Sequence, residues 1–100
     1  MTATPWFVYI IKTRLNTLYT GVTTDLTRRF DEHTQGKVKG ARYLKGKGPL
    51  QLVWSESVLD KRMAMQVEYR IKQLSRVKKD QLVSGKQSLQ TLFKDVMQSK

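Results

Sequence analysis

The fold is decided at residues 6–23, WFVYIIKTRLNTLYTGVT. Residues 6–12 are rich in aromatic and β-branched side chains, which predicts a β-strand. Residues 18–23 predict a second strand, and residues 15–17 between them, Leu-Asn-Thr, have the composition of a turn. The stretch therefore predicts an antiparallel hairpin.

The hairpin carries two tyrosines, Tyr9 and Tyr19. If its centre lies near residue 14, the two side chains sit nearly opposite each other. Both numbers are odd, so an even pairing sum places both rings on the same face of the sheet. A tyrosine on a strand ordinarily packs its ring and hydrogen-bonds its hydroxyl group, and this purely structural interpretation applies to each tyrosine taken alone.

A helix is predicted directly after the hairpin. Thr24 or Asp25 is the expected N-cap, and the helix runs to about Thr34. Arg29 and His33 are four residues apart and therefore share one edge of this helix. The apolar spacing gives an inward stripe formed by Leu26, Phe30 and His33.

A third strand and a long helix are predicted in the second half of the chain. Residues 50–57 alternate between apolar and polar side chains, as a half-buried strand does. The amphipathic helix that follows is capped by Ser57 or Asp60. Glu68 lies beside its apolar stripe, and the structural interpretation of this acid is an i, i+4 ion pair with Lys72. The stripe consists of Leu59, Met63, Val67, Ile71 and Leu74.

The C-terminal residues predict two further helices. Ser75 is the expected cap of a short helix over residues 76–83, which Gly85 ends. Residues 88–97 predict a terminal helix. The core order β-β-α-β-α-α predicts the α+β class, with a small mixed or antiparallel three-stranded sheet flanked by helices.

Length and charge narrow the class of protein. One hundred residues are expected to form a single domain over residues 1–100, with its core at about residues 6–83. Nineteen basic residues face eight acidic ones, which gives a formal net charge of +11. Such a charge attracts polyanions, so DNA is the expected partner, with RNA as the alternative. Surface charge that serves solubility alone is the structural interpretation.

Several classes of site are excluded by composition. The sequence has no cysteine, which rules out disulfides and thiolate metal sites and fits a reducing cytoplasm. Its single histidine rules out any metal site with two histidine ligands. No apolar run approaches the roughly 18 residues of a membrane span, and the first residues lack the pattern of a signal peptide. We therefore expect a cytoplasmic protein that does not bind membranes; a monomer is assumed.

A basic loop is predicted at residues 36–48, where glycines alternate with lysines and arginines and no acid occurs. The spacing is not that of a Walker phosphate loop, so we expect contacts along a nucleic-acid backbone instead. Basic residues of the later helices, Lys78 and Lys79 included, extend this track. The residues predicted to bind nucleic acid are Arg28, Lys37, Lys39, Arg42, Lys45, Lys47, Lys72 and Arg76.

Two tyrosine triplets carry a family resemblance. They are Val8-Tyr9-Ile10 and Tyr19-Thr20-Gly21, and they are followed in order by Arg29, His33 and Glu68. Over about residues 6–83 the chain resembles the GIY-YIG nuclease superfamily, and more narrowly its small stand-alone bacterial YhbQ-like members. Either triplet alone is a weak signal, whereas the ordered set on the expected elements is fairly specific.

The resemblance implies a DNA endonuclease in which water attacks a phosphodiester directly, with Mg²⁺ or Mn²⁺ as the cofactor. It implies that Glu68 binds the metal, Arg29 stabilises phosphate charge, Tyr9 or Tyr19 activates the water and His33 assists. These residue types suit the reaction, because it needs an activated water, a metal ion and a cation near the developing charge. A role in DNA repair or recombination is implied by the superfamily alone.

The alternative is a nucleic-acid-binding module with the same fold and little or no turnover. Val22 favours it, because many superfamily members have a polar or basic residue directly after the second triplet. Asn16 is the only asparagine and lies in the predicted turn, whereas several members have a supporting asparagine late in the domain. A ribosome- or RNA-associated protein is a third hypothesis that rests on charge alone.

Overall fold

The computed structural model describes residues 4–35, 44 and 46–97. In chain order its elements are β1 (Trp6–Lys12), β2 (Leu18–Thr23), α1 (Leu26–Thr34), β3 (Gln51–Val58), α2 (Lys61–Lys72), α3 (Arg76–Ser84), α4 (Leu89–Leu92) and α5 (Lys94–Met97). This order confirms the predicted α+β class with a three-stranded sheet flanked by helices.

The sheet is antiparallel, with β1 in the centre and the order β2-β1-β3. The predicted hairpin is present, and β1 and β2 have the predicted bounds. The chain reverses through residues 13–17, where the N–H of Thr13 donates to the carbonyl of Thr17 at 2.9 Å. Asn16 has a left-handed φ of 62°, a conformation that asparagine adopts more readily than most other residues with a side chain.

The register of the hairpin differs by two residues from the simplest expectation. Tyr9 pairs with Gly21, and Ile11 pairs with Tyr19, so the tyrosines are diagonal neighbours and do not face each other directly. The reason is that the loop of residues 13–17 is centred on residue 15, one position beyond the expected centre. The prediction that both rings share one face is confirmed, and a diagonal pair lies within reach of aromatic side chains.

The third strand is confirmed within one residue at each end, since β3 spans Gln51–Val58. It pairs with the edge of β1 that β2 leaves open, and a β-bulge shifts the register between Ile10 and Ile11. Bulges bend the strand and increase its local twist. The bulge lies directly after Tyr9 and Ile10 along β1.

Aspartates cap α1 and α2. A carboxylate oxygen of Asp25 accepts from the backbone N–H of Arg28 at 3.1 Å, and Asp60 accepts from Met63 at 2.9 Å. Because Asp60 is the N-cap of α2, Leu59 precedes that helix and is 64% exposed, so its predicted place in the apolar stripe is wrong. The other stripe residues pack into the core: Met63, Val67, Ile71 and Leu74.

The C-terminal residues form three short helices. Ser75 caps α3 as predicted, and Gly85 ends it with a φ of 87°. The single helix predicted over residues 88–97 is wrong, because Phe93 departs from helical geometry with φ −130° and ψ 53° between α4 and α5. This break is accompanied by burial of the Phe93 ring, which is 4% exposed in the core.

The two faces of the sheet pack differently, and we name them for their content. On the apolar face, Val8 and Ile10 pack against residues of α2, α3 and α4 that are themselves fully buried, including Ala64, Val67, Ile71, Leu82 and Leu89. On the tyrosine face, Tyr9, Ile11 and Tyr19 pack with Leu44, Leu50 and two residues of α1, Leu26 and Phe30. The candidate catalytic side chains thus gather on the side of the sheet that α1 covers.

No helix among the described residues combines the length and the apolar character needed to cross a bilayer.

Candidate active site

The hydroxyl group of Tyr9 forms a hydrogen bond with the imidazole of His33. Tyr9 lies in the middle of β1, His33 lies on the last turn of α1, and 2.9 Å separates Oη from Nε2. The two side chains are only 2% and 5% exposed. Bulk water does not compete for a hydrogen bond in such a place, so the bond fixes both groups relative to each other.

Tyr19 completes a cluster of three aromatic rings. Its ring centroid lies 6.5 Å from that of Tyr9 and 5.6 Å from that of His33, which it meets edge-on. The centroids of Tyr9 and His33 are 6.0 Å apart. These distances are in the range in which aromatic rings attract each other. The cluster joins both strands of the hairpin to α1.

Gly21 creates the space for the Tyr9 ring. It is the cross-strand partner of Tyr9, and a methyl group added at Gly21 would lie 2.6 Å from Cζ of that tyrosine. Such a distance is far inside van der Waals contact, so any side chain here displaces the ring. The second triplet therefore needs glycine at this position because a larger residue would collide with the tyrosine of the first triplet.

Arg29 brings a positive charge to the same cluster. It lies one helical turn before His33, and its guanidinium acts on the Tyr9 hydroxyl through hydrogen bonding and through its charge. Nη1 lies 3.5 Å from Oε1 of Glu32. Nε is buried without a partner among the described residues, and so is Nδ1 of His33. Unpaired buried donors are costly, so two atoms of this cluster are available to a bound water or ligand.

The environment shifts the proton affinities of the cluster. Burial raises the pKa of Tyr9 above 10.0, and the charges of Tyr19 and Glu68 raise it further, although hydrogen bonding and charge from Arg29 lower it. The effect of burial on the pKa of Tyr9 therefore outweighs that of Arg29. Burial, aided by the charge of Arg29, lowers the pKa of His33 below 6.5. At neutral pH the pair consists of a protonated phenol and a neutral imidazole.

Glu68 acts on the cluster through its charge. It lies on α2, its side chain is 17% exposed, and its negative charge contributes to the raised pKa of Tyr9. Nζ of Lys72 lies 3.2 Å from Oε2 of Glu68, so the ion pair expected from the i, i+4 spacing is present. The structure thus shows both features at once, a surface ion pair and a carboxylate whose field reaches the phenol.

The model of the GIY-YIG catalytic domain matches residues 5–81, which is more than half of the chain. The chain belongs to the GIY-YIG family. The match begins just before β1 and ends within α3, so it contains every element that carries the cluster. The resemblance seen in the two tyrosine triplets is thereby confirmed.

Relatives of this GIY-YIG protein are small bacterial proteins of similar length. It is 49% identical over 88 residues to a UPF0213 protein of Klebsiella pneumoniae, covering 88% of this chain and 81% of that one. The identity to a UPF0213 protein of Vibrio cholerae is 54%, covering 81% and 79%. The UPF0213 protein YhbQ of Salmonella typhimurium is 46% identical, covering 90% and 88%. A solution NMR structure of a UPF0213 protein from Bacillus halodurans is 46% identical, with a TM-score of 0.53 and coverage of 82% and 85%.

Membership of the GIY-YIG family implies a nuclease domain with a nucleic-acid substrate. Nucleases of this family generally use divalent metal ions. Within the described ranges no three or more acidic, histidine or cysteine side chains cluster as a metal site. Glu68 is nevertheless compatible with Mg²⁺ or Mn²⁺, because such ions are held by one or two carboxylates while waters and substrate phosphates complete the coordination.

The basic residues predicted to bind nucleic acid differ in their surroundings. Arg28 and Lys72 expose more than half of their side chains, at 67% and 53%. Lys47 is half-buried. Arg76 is exposed, and its guanidinium is already engaged, with donors at 2.6 and 3.2 Å from the oxygens of Asn16 and at 2.9 Å from Asp80. Four of the predicted residues lie outside the described residues, namely Lys37, Lys39, Arg42 and Lys45.

Two features of the cluster were not anticipated from the sequence. Glu32 pairs with Arg29, and the i, i+3 spacing of these residues on a predicted helix is a signal that was available. The close approach of Tyr9 to Gly21 has no such signal, because it depends on the register between two strands.

Proposed function

We propose that this protein is a divalent-metal-dependent endonuclease that hydrolyses phosphodiester bonds of DNA, in repair or recombination. The observation that carries the proposal is the buried hydrogen bond between Tyr9 and His33 beside the guanidinium of Arg29. A purely structural tyrosine needs a partner for its hydroxyl, but it does not need a cation and two unpaired buried donors around it. Membership of a nuclease family supports the same conclusion.

The direction of the hydrogen bonds follows from the chemistry of the donors. A guanidinium has only donors, so Arg29 can act on the oxygen of Tyr9 only as a donor. The hydroxyl hydrogen of Tyr9 is then directed to Nε2 of His33, which accepts because the lowered pKa keeps the imidazole neutral. We therefore assign the remaining ring proton to Nδ1.

This assignment gives a route for the proton of the attacking water. Tyr9 takes a proton from the water while its own hydroxyl proton moves to Nε2 of His33, and the new oxygen–phosphorus bond forms as the bond to the leaving oxygen breaks. The leaving oxygen takes its proton from solvent, and His33 releases the proton it gained to solvent, so that the pair returns to its starting state. Because Tyr9 never becomes a free phenolate, its raised pKa is not an obstacle. Tyr19 packs against both rings and positions them.

Two positive charges would stabilise the phosphate: the guanidinium of Arg29 and a divalent ion held by Glu68. Arg29 has a side chain that is 31% exposed, so a phosphate at the cluster has access to a fixed cation. Glu68 would hold the divalent ion, and such an ion supplies Lewis-acid stabilisation of the developing negative charge when it is bound. The net charge of +11 supplies the general attraction for the DNA backbone. The protein is treated as a monomer in this proposal.

The test is cleavage of a supercoiled plasmid and of a branched oligonucleotide with Mg²⁺ or Mn²⁺, and with EDTA. Wild-type protein is expected to cut only with metal. Glu68→Gln and Arg29→Ala are expected to lower the rate at least about 100-fold, the size of effect seen when one charge-stabilising group is removed. Folding of each variant is verified by circular dichroism and thermal unfolding.

Matched controls are available elsewhere in the chain. Glu56→Gln replaces a half-buried glutamate on β3 that pairs with Val8, and Arg62→Ala replaces an exposed arginine of α2. Both are expected to cut like the wild type. Cutting that survives Glu68→Gln and Arg29→Ala would refute the proposed site. No cutting on either substrate, with tight salt-dependent binding, would replace the proposal by the binding-module alternative.

A further inference from the structure

A small cavity lies over the outer edge of β2, next to the candidate active site. It has a volume of about 270 Å³ and is lined by Leu18, Tyr19, Thr20, Lys72 and Lys79. Successive strand residues point to opposite faces, so a cavity that touches residues 18, 19 and 20 must lie at the strand edge. β2 is an outer strand of the sheet, and α2 packs against it here. The cavity therefore lies between Tyr19 of the cluster and the helices α2 and α3, which pack on the apolar face of the sheet.

The charge of the cavity is one-sided. Two lysines line it, one from α2 and one from α3, and its lining residues include no acidic residue. Lys72 is paired with Glu68. Lys79 is partly buried, and among the described residues it has no ion pair. Glu68 compensates the charge of Lys72, whereas no described residue compensates the charge of Lys79, which attracts an anion into the cavity.

The size of the cavity favours a small anion. Its volume lies below the roughly 300 Å³ at which pockets begin to hold drug-sized molecules. A single phosphate group fits, and the threonine hydroxyl of Thr20 adds a neutral donor. Since Tyr19 belongs both to the cavity wall and to the aromatic cluster, a strand bound at the cluster has a neighbouring phosphate close to the cavity.

We infer that Lys72 and Lys79 form a phosphate subsite at the edge of β2, which holds a DNA phosphate adjacent to the one that is cleaved. The inference rests on the proposed function for the identity of the strand. It assigns to Lys79 a defined contact with one phosphate, whereas exposed lysines elsewhere contribute only to the general field. Lys79 is a binding residue here and takes no part in proton transfer.

The first experiment measures binding without cleavage. Fluorescence anisotropy in EDTA gives the affinity for a labelled octathymidylate as a function of salt. Lys79→Gln is expected to weaken binding about fivefold at low salt and to reduce the slope of log affinity against log salt by about 0.7, the contribution of one single-strand phosphate. Lys79→Arg keeps the charge and should restore both. Lys86→Gln removes the same charge from an exposed position after α3 and should change affinity less than twofold.

A second experiment locates the contact. Titration of ¹⁵N-labelled protein with the tetranucleotide pTpTpTpT should shift the backbone amides of Tyr19 and Thr20 in the wild type and in Lys86→Gln, but not in Lys79→Gln. Equal losses for Lys79→Gln and Lys86→Gln, or unchanged amides at β2, would overturn the subsite. Where the protein cuts DNA, Lys79→Gln should raise KM and leave kcat unchanged.

The two proposals fail in distinguishable ways. If plasmid cleavage is never seen while Lys79→Gln still loses its phosphate contact, the subsite stands and the nuclease assignment falls. If metal-dependent cleavage is seen while Lys79→Gln and Lys86→Gln bind and cut alike, the nuclease assignment stands and the subsite falls.

Discussion

The two faces of one small sheet differ in what they bury. The apolar face buries aliphatic side chains from α2, α3 and α4, several of them with no exposed surface at all. The tyrosine face buries a phenol, an imidazole and part of a guanidinium. In the described part of the chain, the buried side-chain nitrogens without a partner are Arg29 Nε and His33 Nδ1, and both belong to the tyrosine face.

This difference shows how a short chain divides its tasks. Buried aliphatic groups stabilise a fold by roughly 1.5–3 kcal/mol each, whereas an unpaired buried polar atom costs about 1–3 kcal/mol. The apolar face therefore stabilises the domain. The tyrosine face buries polar groups that lower stability and are of the types used in proton transfer and charge stabilisation. Substitutions on the two faces should separate stability from activity.

The largest effect on stability is expected from Leu82→Ala on the apolar face. Leu82 of α3 is 1% exposed, and truncation of such a leucine leaves a cavity, so the free energy of unfolding should fall by about 3 kcal/mol. Val77→Ala on the same helix removes a side chain that is 65% exposed and should cost less than about 0.5 kcal/mol. Urea unfolding measures both. Equal costs would show that α3 is not packed on the sheet.

Gly21→Ala is expected to have the next largest effect, and it should act on the opposite face. The added methyl group displaces the Tyr9 ring and breaks its hydrogen bond to His33, at a cost of about 2 kcal/mol. The imidazole signals of His33, the only histidine, should shift in the NMR spectrum. Gly85→Ala is the control, because it strains a left-handed residue by about 1 kcal/mol and contacts nothing near the site. A Gly21→Ala protein with unchanged histidine signals would contradict the steric argument.

A smaller effect is expected from Lys72→Met on metal binding. Lys72 neutralises Glu68 in an ion pair that is partly exposed, and such pairs are worth about 0.2–1 kcal/mol. Removal of this competing cation should tighten the binding of Mn²⁺ about threefold, as measured by calorimetry without DNA. Lys86→Met provides the comparison and should leave the affinity unchanged. Weaker Mn²⁺ binding to Lys72→Met would mean that the lysine orients the carboxylate and does not compete with the metal.

The smallest expected effect is a pH dependence of stability that arises from His33. The pKa of His33 in the folded protein lies below its ordinary value of 6.5, so its contribution to stability is fully present above pH 6.5. As the pH falls below 6.5, the unfolded chain takes up a proton that the folded protein does not, and the free energy of unfolding decreases. The decrease ends once the pH is below the lowered pKa, where both states are protonated. Urea midpoints between pH 7.5 and 5 should therefore fall more for the wild type than for His33→Gln. Parallel curves for the two proteins would contradict a buried neutral imidazole.

Much of the fold was predictable because local patterns determine local structure. The bounds of β1 and β2 were predicted from β-branched and aromatic residues, and the caps Asp25, Asp60 and Ser75 were among those expected. The errors concern tertiary packing. The terminal helix breaks where the Phe93 ring enters the core, and the spacing of apolar residues in the sequence does not predict this break.

The residues of the candidate site could be predicted from the sequence, but their arrangement in space could not. The sequence named Tyr9, Tyr19, Arg29, His33 and Glu68, and the structure gathers the first four into one cluster that the charge of Glu68 reaches. Their catalytic roles remain a proposal. The direction of the Tyr9 pKa shift was not predictable, because it depends on burial outweighing the nearby arginine.

The sequence by itself determined the hairpin, the order of elements and the face that both tyrosines share, because these follow from periodicity and parity along the chain. Only the tertiary structure decided that Gly21 makes room for Tyr9, that Arg76 bonds to Asn16 and that Lys72 and Lys79 meet at the edge of β2. Each of these contacts joins separate elements of the chain. Their geometry depends on strand register and helix packing, which no local spacing encodes.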